Sequence, residues 1–392
     1  MSRNKDHVSR RSFLKASSAA LVSAPLAQVL AADEPPQARS RIVRVHNSKA
    51  TKPWDYSANE PWNHTVELGE GGGTEKTRER YYDYYNEDVL AGMLDRGLRE
   101  LTGTGSSSEA WRKLLPNLSK DHTFTIKMNM NNASFDEKIT TNRMDQTMPL
   151  TNAILDDLVG GLGIPEENIT ILDASRWFHP VIMIGRCKYP KVKWVDHRDK
   201  DRWDKNESVT FTKDKPHIDK RGRSGNFWMP RAYTQSDHII NLCLMKRHGC
   251  GITGAMKNHY GSIPSPGCLH EKIGDRSYLG DLCNTPSIRN KVRINIADAL
   301  FANWNNNVWS PRPWITFPEQ SPNSLFLGTD PVAFDSVLLD YIIEEVEARQ
   351  LKGMRESLDR HTFLDYAMNV HKLGIHEHKP YKRIDYRNIE TG

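Results

Sequence analysis

The sequence predicts an α/β fold: a mostly parallel or mixed sheet flanked by helices, with a charged insertion and long loops. Three observations lead there. Short aliphatic or alternating runs of strand length lie at residues 122–131, 169–173, 239–245 and 292–296. Between them run segments whose apolar residues recur at helical spacing, the order expected of a mostly parallel sheet. Several of the strand-like runs end in charged or amide side chains, which would gather at the carboxyl edge where open α/β sheets bind ligands.

Residues 41–45 are predicted to form a first strand. The polar, Trp- and Gly-rich stretch 47–79 reads as an extended loop. Val89, Met93, Leu94, Leu98 and Leu101 give one amphipathic helix, stopped near Gly103. The tyrosines Tyr81, Tyr82, Tyr84 and Tyr85 before it suit either half-buried packing or stacking on a sugar or aromatic ligand.

The run 122–131 alternates. Phe124, Ile126, Met128 and Met130 fall on one face and Thr125, Lys127, Asn129 and Asn131 on the other. That polar face, with Lys127 and Asn129 on it, marks either an edge strand or a site. A helix beginning at Thr147 and Pro149 and stopping at Gly160 and Gly161 leads to the strand 169–173. Its terminal Asp173 serves either a ligand or the cap of the next turn. Residues 185–235 are charged and aromatic, and predict a small antiparallel piece or a lid.

Residues 237–270 hold the candidate site. An apolar run, 239–245, is predicted to end abruptly in Lys246, Arg247 and His248. A glycine loop with Gly249, Gly251 and Gly254 follows, carrying Thr253 and then Ala255, Met256, Lys257 and Asn258. A helix starting there would aim backbone N–H groups at an anion. The glycine spacing is neither the P-loop nor the dinucleotide-binding pattern. His259, Cys268 and His270 complete a turn-rich tail.

Beyond it, 279–288 predicts a helix and 292–296 a strand ending at Asp298. Residues 303–314 form a Trp- and Pro-rich loop, and 325–327 a short strand. Asp330 followed by Pro331 is a strong start signal for a helix over 332–349. One more helix is expected over 362–375, then a basic, His-containing tail.

The string Lys246, His248, Thr253, Gly254, Ala255, Lys257, Asn258 and Gly261 resembles the signature of the domain-of-unknown-function 362 family. Further matches lie at 126–129, 171–173, 296–299 and 328–335. The resemblance implies a family and no activity. It also implies, for many relatives, an attached iron–sulfur segment. The five cysteines, Cys187, Cys243, Cys250, Cys268 and Cys283, contain no Cys-x-x-Cys pair, so such a cluster is not expected here. The order His248, Gly254, Lys257, His270 is similar to the site region of nickel-pincer lactate racemases. That likeness implies a cofactor tether at Lys257, with His248 and His270 as ligand or proton carriers.

The amino-terminal Ser9, Arg10, Arg11, Ser12 and Phe13 resemble a twin-arginine export signal. The mild apolar region to Leu30 is too short and too rich in Ala and Ser to span a bilayer. Residues 1–32 are therefore expected to be removed, and the protein to be periplasmic or extracellular. They carry five basic residues against Asp6, a net of +4 within the chain's +5, leaving the remainder near +1. Nucleic-acid binding thereby loses its electrostatic support. Residues 33–118 then read as a loop-and-helix region, 119–350 as the α/β core and 351–392 as a carboxyl-terminal helix and tail.

If the strand ends converge, Lys257, His248 and His270 are the candidate catalytic residues. Lys127, Asn129, Lys246, Thr253, Asn258, Asp173 and Asp298 are candidates for substrate binding. Cations and amides suit a carboxylate or phosphate, and His and Lys can move protons near neutral pH. The cofactor stays open. His248, Cys250, His259, Cys268 and His270 are possible metal ligands, in no compact metal-motif spacing. The alternative is a non-catalytic periplasmic protein that binds a ligand or a metal.

Overall fold

The computed structural model describes residues 39–56, 65–67, 81–131, 138–140, 143–213, 215, 225–249, 251–270, 277–305, 310–358 and 362–392. Among these a nine-stranded sheet carries the fold. Its strands are β1 Ser40–His46, β2 Phe124–Lys127, β3 Ile169–Leu172, β4 Lys193–Val195 and β5 His238–His248. They continue with β6 Gly251–Thr253, β7 Val292–Asn303, β8 Ser324–Gly328 and β9 Ile384–Glu390. The order across the sheet is β9-β1-β8-β7-β5-β2-β3-β4, with β6 paired to β5. The run β7, β5, β2, β3, β4 is parallel throughout, and β8 lies antiparallel to both its neighbours. The predicted α/β class with a mostly parallel, mixed sheet is the one observed.

Helices cover both faces, so the central strands are aliphatic rather than alternating in polarity. One face is packed by α1 Glu87–Thr102, α2 Ser107–Leu114 and α3 Met148–Leu155. The other is packed by α4 Ala255–Asn258, α5 Ser277–Cys283, α6 Pro331–Ala348 and α7 Thr362–Asn369. Alternation along a strand divides its side chains between the two cores: Ile240 and Leu242 join the α1–α3 side, Ile239 and Cys243 the other. Fully buried side chains such as Ile126 and Ile240 each contribute about 1.5–3 kcal/mol of transfer free energy.

The helix ends follow their sequence signals. Asn86 caps α1, accepting the N–H of Val89, and Gly103 closes it in the left-handed region at φ 69°. Asp330 caps α6 through the N–H groups of Val332 and Ala333 at 2.9 and 2.8 Å. The tyrosines before α1 act in packing: Tyr81 and Tyr85 are buried, and Tyr85 stacks on Phe301. In the Trp-rich loop, Trp314 is fully buried and Trp304 lies under the Arg349 guanidinium.

Several expectations are corrected. Lys193, Trp194 and Val195 belong to the main sheet as its edge strand, because β3 offers a free parallel edge there. The antiparallel piece of the 185–235 region is formed instead by Trp203–Ser208 and Trp228–Pro230. The expected helix 279–288 breaks at Asn284 and Thr285, where Pro286 starts a separate helix, Pro286–Lys291. β7 does not end at Asp298 but runs to Asn303. The last helix stops at Asn369, and the supposed tail returns as β9, parallel to β1. The export-signal stretch and most of 57–80 lie outside the described residues. Among the described cysteines, Cys243, Cys268 and Cys283 are buried and Cys187 is half-buried. No helix among the described residues is long and apolar enough to cross a membrane.

Candidate functional site

β5 does not stop where its aliphatic run stops. It continues through Lys246, Arg247 and His248, then turns back as β6, which pairs Thr253 with Lys246 and Gly251 with His248. The expected glycine loop is thus a hairpin. Lys246 and His248, two residues apart, share one face of β5 beyond the end of β2. α4 follows at once and carries Lys257 and Asn258, both buried.

The expected anion at the start of α4 is replaced by the protein's own carboxylate. Asp335 of α6 accepts the N–H groups of Ala255 and Met256, at 2.5 and 3.0 Å. Those donors are consumed internally. Asp335 is buried, and burial raises its carboxyl to about 7 against the pull of the two N–H groups.

At the carboxyl ends of β2 and β3 lies a closed polar network. Lys127, fully buried, reaches Asp173 at 3.2 Å, Asn258 Oδ1 at 3.4 Å and the carbonyl of Met128. Asp173 also accepts from Met130 N, Ser175 N and Ser175 Oγ at 2.9–3.1 Å. It therefore caps its turn and pairs with the lysine at once. Asn258 donates to Asn241 Oδ1 at 2.7 Å and to the carbonyl of Leu242 at 3.0 Å. Asn241 continues to Asn295 at 2.8 Å. Gly261 closes the floor: a Cβ there would lie 2.6 Å from Lys127 Nζ and 2.9 Å from Asp173 Oδ2. Burial lowers the Lys127 ammonium, with Asp173 opposing the shift. Lys127, Asp173 and Asn258 hold one another in place, with their polar capacity spent.

Above this floor the pattern changes. Lys246 is buried, and its single hydrogen bond among the described residues is a long one, 3.4 Å to the carbonyl of Met144. Burial lowers its ammonium to about 8; Asp145 opposes the shift, and Lys257 and Arg176 add to it. His248 and His270 approach at 5.4 Å between ring centroids, and Tyr260 bridges His270 at 4.7 Å and Lys257 Nζ at 5.1 Å. Burial and then the Lys257 charge hold His248 well below the usual imidazole value and His270 at about 3. Both rings are neutral at pH 7. His270 Nδ1 lies 2.9 Å from the carbonyl of Pro266, which assigns the proton to Nδ1 and leaves Nε2 as the basic nitrogen.

Three buried polar atoms have no hydrogen-bond partner among the described residues: Thr253 Oγ1, on the residue paired with Lys246, Asn129 Oδ1 and Gln146 Oε1. Gln146 N donates to the carbonyl of Asn129 at 2.8 Å, tying the 143–147 segment across the strand ends. Asp298 stands apart from the lysines. It sits inside β7, accepting from Tyr85 at 3.0 Å and Gln146 at 3.3 Å, and burial raises its carboxyl to about 6. Of the ten sequence candidates, then, Lys246, His248, Lys257, His270 and Thr253 lie together, and Asn129 stands at the end of the neighbouring strand. Lys127, Asp173 and Asn258 form the floor.

His259 turns away to Tyr233, 3.1 Å from Nδ1, where burial lowers it to about 3. Cys250 lies outside the described residues. Among the described residues no three His, Cys, Asp or Glu side chains gather as a metal site. Residues missed from the sequence are Arg176, Tyr260, Asn241 and Asn295; Asp335, expected to face either solvent or the cleft, turns onto the start of α4. The pair Asn241 and Asn295 did leave a signal, as amides at matching positions of two otherwise aliphatic central strands.

Residues 191–340 match the family model described as Domain of unknown function (DUF362). The matched span includes the hairpin, α4 and most of α6, and so Lys246, His248, Lys257, His270 and Asp335. It supports the family that the motif suggested and brings no activity with it. No curated protein and no solved structure matches the chain.

Proposed function

We propose that the crevice binds and acts on a small anion, carboxylate- or phosphate-bearing, in an exported α/β enzyme. One observation carries the reading: Lys246 and Lys257 are both buried, and near enough that the charge of Lys257 disfavours that of Lys246. Like charges out of water are costly unless a counter-charge joins them. Asp145 offsets part of the Lys246 charge, and an anion set between the two ammonium groups adds to that compensation. The neutral pair His248 and His270 lies beside Lys257, and an anion that offsets the Lys257 charge raises both rings toward the range in which they transfer protons. The stretch Ser9 to Phe13 supports export by the twin-arginine route to the periplasm or beyond.

The cofactor reading has a weaker basis. His248 and His270 offer two nitrogen donors near Lys257, in keeping with the likeness to nickel-pincer lactate racemases. The described residues do not fit a metal centre of three protein ligands, so no step is routed through one.

The test is calorimetric titration with sodium sulfate. Lys257→Ala should abolish binding while leaving Tm almost unchanged. Retained affinity, or a variant that no longer folds, would assign Lys257 a structural role and remove the reading. A non-catalytic binding protein would show the same sulfate affinity with no effect of His270→Gln on any turnover.

A further inference from the structure

Of the three buried lysines here, Lys127 and Lys246 differ in kind. Lys127 is locked by Asp173, Asn258 and a carbonyl, and serves the fold. Lys246 is nearly as deep, has no ion pair among the described residues, and keeps one long hydrogen bond. It stands at the carboxyl end of a central parallel strand, opposite Thr253 on the hairpin partner. A second cation, Lys257, shares the space. A desolvated amine beside another cation is how a lysine is kept neutral enough to attack a carbonyl.

We propose that Lys246 is an amine nucleophile that condenses with the carbonyl of a small oxo acid, whose carboxylate is held by Lys257. The proposal rests on the anion reading above and gives its ligand a chemical class. In the addition, the Nζ lone pair forms a bond to the carbonyl carbon, and one N–H proton passes to the oxygen. The carbinolamine hydroxyl then leaves with the second N–H proton as water, and a C=N bond remains. Nothing is oxidised or reduced. Thr253 Oγ1, opposite Lys246 and without a hydrogen-bond partner among the described residues, can accept from the carbinolamine hydroxyl. Burial, opposed by Asp145 and aided by Lys257 and Arg176, brings the amine to about 8, so a useful fraction is neutral near physiological pH.

The experiment uses the wild-type protein with pyruvate and sodium cyanoborohydride, read by intact mass and peptide mapping. One carboxyethyl group is expected on Lys246, formed faster as pH rises, with its midpoint near 8. Sulfate should suppress it, and Lys246→Arg should abolish it without loss of Tm. Label absent from Lys246, or spread over surface lysines, overturns the proposal. If sulfate still binds in that case, the anion reading stands alone. Label on Lys246 that sulfate does not suppress overturns the anion reading and the carboxylate part of this proposal with it.

Discussion

The Asp335 carboxylate accepts the backbone N–H of Met256 at 3.0 Å, joining α6 to the first turn of the helix that carries Lys257. That contact leaves no room at the preceding residue: a Cβ on Gly254 would lie 2.1 Å from Asp335 Oδ1. Gly254→Ala must push the carboxylate off the helix or displace the hairpin. A loss of about 1–3 kcal/mol is expected, of the size seen for overpacked cores. Urea denaturation measures it, and an unchanged midpoint would contradict the close packing.

The two deep lysines should respond oppositely to the same substitution. Lys127→Met leaves Asp173 charged and buried without its partner, so about 3–5 kcal/mol of stability should be lost. Lys246→Met removes a charge that burial and Lys257 already disfavour, and should be neutral or stabilising. Equal losses in chemical denaturation would mean that the distinction between a structural and an open lysine is wrong.

Much of this was legible in the chain. The aliphatic runs gave β3, β5 and β8, and the Asp330–Pro331 signal gave α6, because strong local patterns survive any tertiary context. The alternation around Lys127 pointed to a polar site on a central strand. What stayed hidden depended on distant partners. Nothing local tells that Asp335 would fill the N-terminus of α4, since the two are 79 and 80 positions apart. Likewise β9 carries few apolar residues and becomes a strand only because β1 offers an edge. Asp298 looked like a strand terminus because the apolar run ends there, whereas the hydrogen-bonded ladder continues.

The buried imidazoles should make the fold acid-sensitive. Burial holds His259 and His270 at about 3, His238 at about 4, and His248 well below the usual value. In the unfolded chain each titrates near 6.5. Below that pH the unfolded state binds more protons, so the stability these groups contribute is present above about 6.5 and lost as pH falls. Asp298 and Asp335, raised by burial to about 6 and 7, work the other way across pH 4–7. Asp157 and Asp330 are raised as well, but the lowered Asp196, Asp204, Asp237, Asp385 and Glu390 side with the four imidazoles, so Tm should drop between pH 6.5 and 4. A Tm that holds level or climbs over that range would show that the rings are solvated instead.

Anion affinity should weaken as pH rises through about 8, because Lys246 loses its proton there. Sulfate is the suitable probe, since its own charge is constant over this range. When bound beside Lys246 it favours the ammonium, so complex formation at pH 8–9 draws a proton from solution. The linkage limits the fall to about one log unit of Kd per pH unit for one coupled group. Titrations in buffers of differing ionisation enthalpy would register the proton uptake directly. Lys246→Met should flatten the pH profile and abolish the uptake, while Lys257 retains part of the affinity at pH 7. A wild-type profile that is already flat between pH 7 and 9.5 would place Lys246 outside the anion's reach, because a cation within contact distance cannot lose its charge unnoticed.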